Sequence, residues 1–244
     1  MDRVTRTCGL LVAVASTALV TGCGSAQPAT PEPPELPSLG SAVVAAPVTA
    51  APESDPNRLR GLLLDEANLP PNFTVLPPRA DIPETVTATG ASPTNPAECA
   101  KLLTPLAAQR RDALAQASIH YAGPSFSSID IDAASYAHEA LADALSDVQA
   151  ILRRCSHYSG ADDTDTPVDY RVGGLAQPPA GDASTAFQVR TSSDGLTLGS
   201  SVAIVQVGST LVQVAVTAPE SVDPGVLSAL TAAQVRRLRG VAGP

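Results

Sequence analysis

Residues 202–217 read VAIVQVGSTLVQVAVT, and this stretch decides the fold class. Two apolar runs flank Gly208-Ser209, a two-residue loop with glycine first, the signature of a type II′ turn between antiparallel strands. Side chains alternate between faces along a strand, so Ala203, Val205 and Val207 share a face with Val212, Val214 and Val216. The opposite face carries Val202, Ile204, Gln206, Leu211, Gln213 and Ala215. The first face is aliphatic and needs a cover of helices. The second is semi-apolar with two amides, which suits the wall of a groove for a partly apolar ligand, with Ile204, Gln206, Leu211 and Gln213 as its contact residues. A loop or helix laid over that face is the competing reading.

The segments on either side supply the helices. Leu141, Leu145, Val148 and Leu152 recur at helical spacing, and Ala144, Ile151 and Cys155 widen the stripe. Asp143 and Asp147 point away from it, while Arg153 and Arg154 sit where the helix dipole favours cations. After the hairpin, Asp223 caps and Pro224 opens a helix through Leu227, Leu230, Val235 and Leu238, which Gly240 ends. Upstream, Asp55-Pro56 starts a short helix through Leu59, Leu62 and Leu63, and Asn95-Pro96 a second one through Cys99 and Leu102. Strands are predicted at 73–76, 118–121, 127–131, 170–172 and 186–190. Local hairpins with interspersed helices give an α+β domain, an antiparallel β-sheet covered by helices.

The N-terminus reads as an address. Arg3 and Arg6 precede a thirteen-residue apolar run from Cys8 to Val20, and Val20-Thr21-Gly22-Cys23 follows as a lipobox. The run is short of the ~20 residues that span a bilayer. Residues 1–22 are therefore expected to be a cleaved lipoprotein signal peptide, with acyl chains on Cys23 anchoring the mature chain to the outer face of the cell membrane. Residues 23–56 are rich in Pro, Ala and Ser without apolar periodicity, and are expected to form a disordered tether. Residues 57–244 make the folded domain.

Composition narrows the function. The formal charge is −9, and losing Arg3, Arg6 and Asp2 with the signal leaves about −10. That sign argues against nucleic acid, whose binding neutralises phosphates with Lys and Arg. Aromatic residues make up 3% and Trp is absent, so the core must be Val, Leu, Ile and Ala. Of four cysteines, Cys8 leaves with the signal and Cys23 is acylated. Cys99 and Cys155 remain, one pair in an oxidising compartment, where disulfides persist. A metal site or reactive thiol is the alternative, with only His157 near Cys155 to support it.

Chemistry-bearing motifs are scarce. The sequence has no G-x-S-x-G, H-E-x-x-H, P-loop or G-x-G-x-x-G pattern. Asp130 and Asp132 share a strand face with His138 nearby, a combination more often solvated than metal-binding. The acidic loop through Asp162, Asp163, Asp165 and Asp169 lacks the Gly and Glu of a calcium loop. No catalytic residue, cofactor or metal site is expected.

From about Arg60 to Val241 the layout resembles the PknH-like extracellular sensor domain, found outside the membrane on actinobacterial receptor Ser/Thr kinases and, detached, in lipoproteins. The matching pieces are Leu62-Leu63-Leu64, Pro96-Ala97-Glu98-Cys99, Leu152 to Tyr158, and Val202 to Thr217 running into the helix from Val222. The resemblance implies an antiparallel sheet with helices forming a ligand cleft, and Cys99–Cys155 as the family's first disulfide. The second cysteine pair and the Trp residues associated with the kinase-borne domains are absent here. The favoured expectation is a non-enzymatic lipoprotein that binds a small-molecule or lipid ligand, or an envelope protein partner. An envelope lipid carrier with an apolar cavity is the alternative, and a hydrolase a third.

Overall fold

A computed structural model of the chain describes residues 35–77, 93–162 and 164–240. The signal peptide, Cys23 and the first part of the tether lie outside the described residues. Among the described residues no helix is long and apolar enough to cross a membrane.

The hairpin is the centre of a nine-stranded antiparallel sheet. Its strands in chain order are β1 (Thr74–Val75), β2 (Thr94–Asn95), β3 (Ala115–Ala122), β4 (Ser128–Ser135), β5 (His157–Ala161), β6 (Pro167–Gly174), β7 (Ala183–Ser193), β8 (Leu196–Val207) and β9 (Thr210–Pro219). Across the sheet they run β1-β3-β4-β9-β8-β7-β6-β5-β2. Gly208 takes φ +57°, the conformation the turn requires of its first residue and glycine adopts at little cost. The register places Ala203 opposite Val214 and Ile204 opposite Gln213, so the two faces form as the alternation predicts.

Among the described residues four α-helices accompany the sheet: α1 (Pro56–Gly61), α2 (Leu106–Gln109), α3 (His138–Arg154) and α4 (Pro224–Leu238). Asp55 accepts from the amides of Asn57 and Arg58, and Asp223 from that of Gly225, so both predicted N-caps form. The segment expected to be one helix from Asn95 is instead a 3₁₀ turn over Ala97–Leu103 followed by α2, split where Pro105 cannot continue a helix.

Both faces are covered. Val205, Val212, Val214, Ile129, Ile131 and Tyr121 pack with Leu59, Leu63 and Leu64 around α1 and with Leu227, Leu230 and Val235 of α4. The other face packs Ile204, Leu211, Val202 and Phe187 under Leu141, Leu145, Val148 and Leu152 of α3. Cys99 and Cys155 are disulfide-bonded with Cα atoms 5.6 Å apart, joining the 3₁₀ turn to the C-terminus of α3. Tyr158 and Tyr170 stack at 4.6 Å on the outer strands of that face.

The free tether is corrected over residues 36–56. Residues 36–50 run extended along the domain, a segment called here the strap. Its position follows from groups that need partners. The buried amide of Gln149 on α3 accepts from the Val43 N–H at 2.7 Å and donates to the Val43 carbonyl at 2.8 Å. Gln206 on β8 does the same to Ala46, at 2.8 Å in both directions. The Gly174 N–H donates to the Pro37 carbonyl at 2.7 Å where β6 ends. Leu39, Ala45 and Val48 add partly buried apolar contacts. Composition alone suggested disorder because the strap buries little of its own. Its order comes from the domain's hydrogen-bonding groups instead.

Candidate functional site

A cavity on the α4 side of the sheet holds about 580 Å³, within the range of small-molecule sites. Its floor is Ala203 and Val205 of β8 with Ser184, Ala186 and Gln188 of β7. One wall is α4, through Ser228, Thr231 and Ala232, and another is the loop from Leu175 to Ala180. The third wall is the strap, from Pro37 to Val43. The cavity exists because α4 lies over β8 and β9 while β7 extends beyond the end of β6, leaving that corner to the loop and the strap.

No lining residue carries a charge. The polar groups are hydroxyls and amides, and several are already engaged: Ser228 Oγ donates to the Gly225 carbonyl, and the Gln188 and Gln177 amides donate to the carbonyls of Gly174 and Pro224. Two others have no partner among the described residues. Thr231 Oγ1 and Gln177 Oε1 are both buried and unpaired. Both atoms are shut off from the cavity's open space, so they cost stability there and offer a ligand no hydrogen bond without a side-chain rotation. The uncharged hydroxyls and amides, with apolar surface from Leu175, Ala203 and Val205, suit a neutral amphipathic molecule.

The groove expected on the opposite face is corrected. Ile204, Gln206 and Leu211 are fully buried, and only Gln213 is half-buried. Helix α3 and the strap occupy the space, and the Gln206 amide that was to orient a ligand orients the chain's own Ala46. Thr231 and Gln177 carry no motif that marks them in the sequence. One signal was present: Thr231 follows Leu230 on the buried stripe of α4, a hydroxyl where an aliphatic residue would complete the core.

The remaining polar residues fall into pairs. His120 Nδ1 lies 2.8 Å from Asp130 Oδ1, and Ser128 donates to the other oxygen of that carboxylate. That bond holds the His120 imidazole above its ordinary pKa, against partial burial. Asp132, across β3 from Ser118, is buried, which pushes its carboxyl pKa up although Ser118 bonds it, and its Oδ1 is unpaired. His138 bonds the Ala50 carbonyl on the far side of the strap's end, so it does not join Asp130 and Asp132. His157 pairs with Asp169 at 2.6 Å, and Asp162 folds its own loop by accepting from the Thr164 and Thr166 amides. Among the described residues no three His, Cys, Asp or Glu side chains are placed to hold a metal ion.

No family model matches the chain, and no curated protein does. Among solved structures it is similar to the crystal structure of the extracellular domain of PknH from Mycobacterium tuberculosis, with a TM-score of 0.55 at 12% identity. The match covers 77% of this chain and 98% of that one. At that identity the likeness is one of fold: this sequence builds the architecture seen outside the membrane on that protein.

Proposed function

We propose that the protein is a lipid-anchored, extracytoplasmic binding domain that receives a small, neutral, amphipathic molecule in the cavity under α4. The observation that carries this reading is the uncharged cavity of about 580 Å³, lined by hydroxyl, amide and aliphatic side chains. The disulfide, the lipobox ending at Cys23 and the fold shared with an extracellular domain support the location. The domain is read as a binding protein.

Native mass spectrometry of the full-length protein, extracted from its own envelope, tests the ligand. The expected result is a co-purifying small molecule that is lost in Ala232→Trp, which fills the cavity from its exposed side, while the melting temperature stays near wild type. A wild-type protein that carries nothing, and is stabilised by no compound in a panel of neutral amphiphiles, would refute the site. Cys23→Ala should abolish acyl labelling and release the chain from the membrane fraction.

A further inference from the structure

The strap shows a recognition mode that does not depend on the cavity's ligand. A side-chain amide has an oxygen that accepts and an NH₂ that donates, the pair a residue in a strand offers its neighbour. Here the second N–H of each turns back to a carbonyl of the domain, Leu145 or Gly208. Gln149 and Gln206 each spend both groups on a single strap residue, Val43 and Ala46, three positions apart. These bonds read main chain, so they fix an extended backbone and select no particular side chain. The side chains are small or point outward: Val44 between the two clamps is 86% exposed, and no strap residue is fully buried. Gly173 and Gly174 admit the strap by having no Cβ, since one on Gly174 would lie 2.2 Å from the Ser38 carbonyl oxygen. The hydrogen bonds that hold the strap engage its main chain, and its own side chains add only the partly buried contacts of Leu39, Ala45 and Val48. That division of labour is the one between a receptor and a bound peptide.

We infer that the groove between α3 and the sheet, with Gln149 and Gln206 as its clamps, is a binding site for an extended peptide of small apolar residues, and that residues 36–50 are its exchangeable occupant in cis. The chemistry of the occupant is given by the strap seated there: LPSLGSAVVAAPVTA, with no charged and no aromatic side chain. Its release would leave the clamps to water and remove one wall of the cavity under α4, while the aliphatic side chains of α4 keep their contacts with the sheet. The site would then accept a trans peptide of the same kind in competition with the tethered copy, whose local concentration is in the millimolar range for a short linker.

Two measurements on the full chain test this. In Val43→Pro with Ala46→Pro, both clamped residues lose the N–H that the glutamines accept from, on a segment outside the core. This variant should bind a labelled synthetic peptide of residues 36–50 saturably by fluorescence anisotropy. The wild type should bind it at least about tenfold more weakly because the strap competes. Gln149→Leu with Gln206→Leu in the released background should lose the peptide. Amide exchange on the unmodified chain gives the second reading: the Val43 and Ala46 amides should exchange at least ~100-fold faster than that of Val205, by local opening. A folded release variant that captures no peptide would overturn the inference. So would Val43 and Ala46 amides as slow as Val205, or a release variant that does not fold, since each would make the strap part of the core.

Discussion

The two faces of the sheet are built from the same two strands and are closed by different means. On the α4 side, Ala203, Val205, Val212, Val214 and Val216 meet Leu227, Leu230 and Val235, and burial of aliphatic surface does the closing. On the α3 side the same alternation delivers Ile204 and Leu211 but also Gln206, and α3 adds Gln149. Aliphatic side chains accept any apolar cover, so a helix suffices, and where α4 runs out a cavity remains. Buried amides accept only a cover with matching polar groups, and the nearest extended backbone is the chain's own N-terminal segment. The third buried glutamine follows the same rule: Gln234 on α4 donates to the Leu62 carbonyl and accepts from the Leu64 N–H as the chain leaves α1. An amide at a core position therefore marks where main chain must pass.

The largest effect should come from the disulfide, which belongs to the α3 face. Replacing Cys99 and Cys155 together by Ala frees a loop of 56 residues' separation and should cost about 4 kcal/mol in denaturant unfolding. The strap buries too little to hold α3 in place of that bond. A loss below ~1 kcal/mol would mean that it does, and the contrast between the faces would fail.

On the opposite face, Leu227→Ala removes a fully buried side chain of α4 and should cost roughly 3 kcal/mol. Val48→Ala on the strap should cost less than about 1 kcal/mol, because that side chain is only partly buried. Equal losses in a urea titration would show that the strap contributes packing of the same quality as a helix.

Gly174→Ala sharpens the strap's seat. The new Cβ would press on backbone atoms of Ser38, which cannot swing aside as a side chain could. The expected loss is about 1–2 kcal/mol, accompanied by new proteolytic cleavage within residues 36–54. Cleavage unchanged from wild type would place the strap's hold in the glutamines alone.

How much of this was legible follows from the range over which each feature is determined. The hairpin, both N-caps, the stripe of α3 and the two-faced alternation are set by residues within a few positions of one another, and they read directly. Cys99–Cys155 was legible by counting thiols. The strap was not, because its composition speaks only of the strap, whereas its order depends on Gln206 lying 160 positions away from Ala46. The same holds for the cavity: Thr231, Gln177 and Gly174 meet only once β6 ends short of β7. The sequence reading placed Gln206 in a ligand groove; the structure buries it against the chain's own Ala46, a partner that no local pattern encodes.

The smallest predicted effect concerns Asp132, the least comfortable group on the α3 face. Burial raises its pKa in the folded chain above the ~3.9 of an unfolded Asp. Between those two values the folded state binds more protons than the unfolded one, so stability falls as pH rises through that window and stays lower above it. His120 has the same sign from a different cause. Its bond to Asp130 raises its folded pKa, so its stabilising contribution is full below about 6.5 and is lost as pH rises through the folded value. The contributions of these two groups therefore fall in two steps, the first starting near pH 4 and the second above about 6.5. Asp65, Asp112 and Asp162, held below the ordinary carboxylate range, act with the opposite sign only up to about pH 4. Asp132→Asn keeps the shape and abolishes the first step, giving a higher urea midpoint than wild type at pH 8 and little difference at pH 4. It should also shrink the second step, because the Asp132 charge helps to hold the His120 proton. A variant less stable than wild type at pH 8 would show that the ionised carboxylate is wanted there. Ser118 and the neighbouring Gln213 would then be stabilising the charge rather than tolerating it.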